Sequence, residues 1–175
     1  MTHFKIVLFL LCLLFQPLLA EEKSVVFTVD MSKLLRSSDF GKNIIAVNNA
    51  ARQNLQNENN NLEEKLLIEE KELSELRKTI SIDEFRPKAL EFDKKVTIIR
   101  KGQREKEENL NKKVRKEETD FFKKIYPILY ELLIERGGLV LIDQRNAVLW
   151  DNSVDLTDDA IVVINRVLGS GDETN

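Results

Sequence analysis

Few side chains in this 175-residue sequence could do covalent or proton-transfer chemistry. Its single Cys (Cys12) and single His (His3) both fall within the first 20 residues, a stretch that reads as a removable leader. Without them, thiol nucleophiles, imidazole acid–base catalysis and His/Cys metal sites have no residues to use. Two adjacent carboxylate pairs could in principle do acid–base work. Glu69-Glu70 reads instead as a solvated helix flank, and Asp158-Asp159 as the acidic first turn of a helix. Gly137-Gly138 follows a helix and precedes a strand, the reverse of the order a phosphate loop needs. One basic run, Lys112-Lys113-Val114-Arg115-Lys116, is a candidate for anionic-lipid contact. Glu117 and Glu118 follow it directly, so a balanced solvated face is the alternative. The sequence predicts no enzyme, no cofactor and no metal, and binding by shape is what is left.

The elements that would do the binding are long. From Lys42 to Arg136 the chain is charged and reads as two helices folded back on each other, reversing at Ser81-Ile82-Asp83-Glu84-Phe85-Arg86-Pro87. The first limb, Lys42 to Ile80, has neither Gly nor Pro. In it Leu55, Leu62, Leu66, Leu73, Leu76 and Ile80 fall at spacings of seven, four, seven, three and four, the seam of a coiled coil, with Glu69 at one seam position. The return limb, Pro87 to Arg136, carries Phe92, Val96, Ile99, Leu110, Val114, Phe121, Ile125, Ile128 and Leu132. No apolar residue lies between Arg100 and Asn109, so pairing should be loosest there. Pro127 predicts a kink or a break. At about 1.5 Å per residue such limbs span roughly 60 to 75 Å. A compact domain of roughly 155 residues is only about 40 Å across, so the limbs must protrude as arms.

Met1 to Ala20 has a basic start at Lys5, an apolar run from Ile6 to Phe15 and a small residue before Glu21, the pattern of a signal peptide. The run is short for a bilayer span. The expected mature chain lacks cysteine, which suits the periplasm better than an extracellular disulfide-bonded domain. The whole chain has a net charge of −3 and a pI near 5.4. Mildly basic arms on an acidic base give only weak steering of anionic partners.

The base is expected at 21–41 and 137–169. Ser24 to Asp30 reads as a strand, Met31 to Ser38 as a short helix capped by Ser32, and Asp39-Phe40-Gly41 as an interruption. Leu139 to Asp143 reads as an apolar strand and Ala147-Val148-Leu149-Trp150 as a returning one. Thr157 is expected to cap a last helix ending at Gly169, with residues 170–175 a disordered tail. A base of about 65 to 70 residues with open strand edges buries little core alone. Several copies joining strands into a closed sheet would solve this, with Val26, Phe27, Val29, Leu139, Leu141, Ile142, Val148 and Trp150 in the shared body. Trp150 could alternatively stack on a ligand. The fold class is therefore α+β, a helical hairpin on a small β body.

With these residues in place, the chain resembles the OmpH/Skp family of periplasmic chaperones for outer-membrane proteins. The resemblance rests on Val26 to Asp30, the charged hairpin, Phe121-Phe122-Lys123-Lys124-Ile125-Tyr126-Pro127-Ile128-Leu129 leading to Gly137, Leu141-Ile142-Asp143, and Asp155-Leu156-Thr157-Asp158 before Ile161 and Ile164-Asn165. It implies a homotrimer with a β-barrel body and three helical tentacles around a cavity. It further implies binding of unfolded outer-membrane β-barrel proteins without ATP, with the outer-membrane assembly machinery as a further partner and no role for nucleic acid. The best-known members are strongly basic. An acidic pI departs from that pattern and argues for weak or no direct lipid binding.

Client contact is expected on the inward faces of the arms, around Leu62, Leu66, Leu73, Phe85 and Phe92; the competing use, favoured for most of them, is the coiled-coil seam. Many weak contacts would hold a client by multivalency. The alternative function is an envelope coiled-coil adaptor or spacer that docks through a patch near Ile82 and Phe85.

Overall fold

A computed structural model describes residues 26–169; the leader and the C-terminal tail expected from the sequence lie outside the described residues. The order is β1 (Val26–Val29), α1 (Met31–Ser37), α2 (Asp39–Leu76), α3 (Ile82–Glu135), β2 (Val140–Asp143) and α4 (Thr157–Leu168). Two single turns of 3₁₀ helix, Gln144–Asn146 and Asn152–Val154, join β2 to α4.

α2 and α3 form the hairpin. They contain 38 and 54 residues, or roughly 57 and 81 Å at about 1.5 Å per residue. Arg52 Nη1 donates to Asn111 Oδ1 at 3.2 Å, Lys106 pairs with Glu58, and Lys95 pairs with Glu69. These three cross-links run in opposite chain directions and fix an antiparallel register. Half-buried positions on α2 recur at 55, 59, 62, 66, 69, 73 and 76, alternating steps of four and three as a coiled-coil seam requires. Asn59 and Glu69 are the polar members. The expected seam is present.

Several boundaries differ from the sequence reading, each for a physical reason. α2 starts at Asp39 rather than Lys42, because Ser38 caps it by accepting from Gly41 N at 3.2 Å. Gly41 is no interruption. A Cβ there would stand 2.0 Å from the Leu35 carbonyl oxygen, so glycine lets α2 pass against the backbone of α1. α1 is capped by Asp30, which accepts from Lys33 N at 2.8 Å, and not by Ser32. α2 ends at Leu76, and α3 begins at Ile82 rather than Pro87. Ser81 and Glu84 form a capping box that starts the return limb five residues early. α3 then runs unbroken through both Pro87 and Pro127. Ile125, Ile128, Leu129 and Leu132 around Pro127 are all buried, and that packing holds the helix across the missing hydrogen bond.

The body is built where the root of α3 meets the short elements. Phe121, Ile125, Ile128, Leu129, Leu132 and Leu133 form one core with Phe27, Val29, Leu34, Leu156, Ala160 and Ile164. β1 pairs in parallel with β2, Val26 opposite Val140 through Val29 opposite Asp143. Thr28 makes a further parallel bridge to Asp155. Gly138 enters β2 with no room for a side chain, since a Cβ would lie 2.3 Å from Leu133 Cδ1 and 2.6 Å from Phe27 Cδ2.

Two expectations for the body fail. Residues 147–150 form no strand; the chain after β2 turns through 3₁₀ helix and runs irregularly, with a bend at Val148. Thr157 is the first helical residue of α4 and not its cap. Its hydroxyl accepts from Asp30 N at 2.8 Å and donates to Asp155, so it is committed to joining the two halves of the body.

Candidate interaction surfaces

The carboxylate pairs occupy structural positions. Asp158 binds Lys33 Nζ at 2.6 Å and Asp159 binds Arg136 Nη2 at 2.5 Å, each pinning α4 to a different element. Glu69 is a seam residue paired across the hairpin with Lys95, while Glu70 points to solvent. Among the described residues there is no group of His, Cys, Asp and Glu able to hold a metal ion. None of the described helices is long and apolar enough to cross a membrane.

In the basic run, Lys113 and Lys116 face carboxylates one turn on, Glu117 at 3.6 Å and Asp120 at 2.6 Å. The hydrogen bond that Lys116 Nζ donates to the Asp120 carboxylate raises the Lys116 pKa above its ordinary value. Lys112 and Arg115, also in the run, are exposed. The run is thus stitched into its own helix by i,i+4 pairs.

Of the residues expected in a shared body, Phe27 and Val29 are consumed by this chain's own core. Leu141 and Ile142 are half-buried, and Val26 and Leu139 are exposed. Val148 and Leu149 are 93% and 90% exposed, and Trp150 is 43% exposed. Leu149 was not singled out in the sequence, although it stands inside the same apolar run. Among the described residues β2 has β1 on one side and no paired strand on the other. Beside it lies an apolar recess of about 420 Å³ between Met31, Phe122, Tyr126, Tyr130 and Leu141, with Arg145 at its edge. Tyr126 and Tyr130 are exposed and were not expected in any site. Their i,i+4 spacing next to buried Phe122 was the available signal. Arg145 is held by Asp143, at 2.6 Å from Nη2 and 3.0 Å from Nε, which fixes the turn leaving the strand and lowers the Asp143 pKa.

On the arms, Leu62, Leu66, Leu73, Phe85 and Phe92 are all half-buried along the seam. The apolar residues that face solvent are others, Leu67, Ile68, Leu90 and Ile98. A groove of about 520 Å³ opens between the helices, floored by Leu66, Phe92 and Val96. At the tip, Arg77 lies 5.8 Å above the Phe85 ring and Ile82 is exposed. At the root, Phe40 stacks on Phe121 at 5.7 Å with Lys124 Nζ 4.9 Å from its ring centre.

The fold is thus a long antiparallel helical arm rooted in a small body of strands and helices, with apolar surface uncovered on both. The chain belongs to the OmpH-like outer membrane protein family, whose sequence profile matches residues 25–163. A search among curated proteins found no significant match. Among solved structures, the chain is similar to a candidate outer membrane chaperone (OmpH-like) from Caulobacter crescentus CB15. The two share 17% identity and a TM-score of 0.78, over 89% of this chain and 92% of that one. At that identity the likeness establishes the fold.

Proposed function

We propose that this protein is an ATP-independent holdase chaperone of the periplasm that binds unfolded outer-membrane β-barrel proteins between helical arms and keeps them from aggregating. The reading is carried by one observation: a two-helix arm, too polar to be a core, leaves Leu67, Ile68, Leu90 and Ile98 in solvent along its length. Family membership and the description of the Caulobacter protein support it. Copies of the chain join through the uncovered body surface at residues 26, 139–142 and 148–150, as a homotrimer, and so point their arms the same way. A client inside would meet many weak apolar contacts and no second client. No catalytic step and no cofactor takes part. A leader over 1–20 delivers the chain across the inner membrane.

The test is dilution of a urea-unfolded outer-membrane protein into buffer with the purified protein and no nucleotide. Light scattering should fall to baseline at about one trimer per client. Unchanged scattering at stoichiometric excess would remove the proposal.

An adaptor or spacer role is favoured by one feature, the ordered tip. There the Ser81–Glu84 capping box and the Arg77–Phe85 contact present Ile82 in a fixed frame. If Ile82→Ser with Phe85→Ser abolishes one specific complex and leaves client protection intact, the adaptor role stands instead.

A further inference from the structure

The two flanks of the arm are built differently. Glu58 and Lys95 each immediately precede a seam residue, and both are engaged across the hairpin, with Lys106 and Glu69. Glu63, Glu70, Asp93 and Arg100 each immediately follow a seam residue, which places them on the opposite flank of a heptad. None of these four forms an ion pair among the described residues, and all are exposed. One flank carries ion pairs across the hairpin; the other, around these four residues, is open.

The groove lies on the open flank. It exists because the seam is under-filled there: Asn59 and Gln103 occupy seam positions that a tight coiled coil would give to Leu. The Asn59 Oδ1 atom is buried and accepts no hydrogen bond. Leu66, Phe92 and Val96 make an apolar floor, and Leu67, 65% exposed, carries it over the edge. Three carboxylates against one guanidinium leave the rim with a net charge of −2. From Asn59 to Glu70 the groove is on the order of 16 Å long, the span of about five residues of extended chain.

We propose that this groove binds short extended apolar segments of unfolded chains that carry Lys or Arg, selecting them through Glu63, Glu70 and Asp93. The proposal rests on the chaperone reading and refines it, since it names which client segments the arm takes. An extended segment sets alternate apolar side chains on the floor, and a flanking cation meets the acidic rim. Selection is therefore for cation-bearing clients, the sign set by this chain's acidic rim.

The test uses fluorescence anisotropy with the mature full-length protein and two dye-labelled peptides of the same apolar sequence, one flanked by Lys and one by Glu. The Lys peptide should bind about ten-fold tighter at low salt, with the preference shrinking as salt rises. In Glu63→Gln/Glu70→Gln/Asp93→Asn, all at exposed positions, the preference should fall to about one. Leu67→Asn should weaken both peptides alike and keep the preference. Equal binding of the two peptides by the wild type, binding of neither, or a preference that survives in the triple variant would each overturn the proposal. The same preparation is assayed for client protection. Protection without charge preference overturns the groove alone, and absence of both overturns the chaperone reading as well.

Discussion

The backbone N–H of Asp30 donates to Thr157 Oγ1 at 2.8 Å across 127 residues of sequence, joining the end of β1 to the start of α4. The arm between them is an excursion from one small body, to which α1, the root of α3 and β2 also belong. Thr157 is 1% exposed. Thr157→Val, nearly isosteric, would leave the Asp30 donor buried without its acceptor. It should destabilise the body by about 1–3 kcal/mol in urea unfolding, while Thr157→Ser should be close to neutral.

Asp155 makes this junction pH-sensitive. Burial disfavours its ionised form, but hydrogen bonds from the Thr157 hydroxyl and N–H, with Gln144 nearby, outweigh that and hold its pKa below the ordinary carboxylate value. A depressed folded-state pKa contributes stability that is complete above about pH 4, where the unfolded chain is also ionised, and is lost as pH falls through the lower folded value. The stability difference between wild type and Asp155→Asn should therefore be constant from pH 7 to 5 and narrow below about pH 4.

Three glycines should respond in three ways to alanine. Gly41→Ala drives a Cβ into the Leu35 carbonyl, a backbone atom that cannot rotate away, and should destabilise most. Gly138→Ala meets side chains of Leu133 and Phe27, which can shift, at about 1–3 kcal/mol. A Cβ on Gly102 meets nothing within 4 Å. In mid-helix that substitution should stabilise the arm by roughly 0.5–1 kcal/mol. Thermal unfolding of the three variants gives the order.

The capping box sets where the arm turns. Hydrogen bonds from Ser81, side chain first and then backbone, keep the Glu84 carboxyl below its ordinary pKa. Ser81→Ala should cost the tip about 1 kcal/mol. Amide exchange should quicken across residues 77–88 and stay unchanged in residues 121–133.

What could be read from residue order and what could not divide along clear physical lines. The seam at Leu55, Leu62, Leu66, Glu69 and Leu73 was legible because heptad spacing is a property of one helix. The missed start at Asp39 turned on Gly41, which signals a break in isolation but here answers to α1 lying against it. Thr157 looked like a cap because Asp158 and Asp159 follow it; its hydroxyl was claimed by Asp30, which no local pattern reveals. Ala147 to Trp150 has the composition of a strand but lacks a strand partner among the described residues. Val148, Leu149 and Trp150 stand in solvent, and composition alone cannot say from where such a partner comes.

That uncovered run is the point on which the account of a grasping assembly turns. Light scattering coupled to size exclusion, on the mature protein alone and mixed with one unfolded outer-membrane client, measures it directly. The account predicts a mass of three chains alone, three chains plus one client in the mixture, and dissociation to monomers with loss of client in Val148→Asp/Leu149→Asp. A stable monomer that holds its client equally well before and after those substitutions would contradict it.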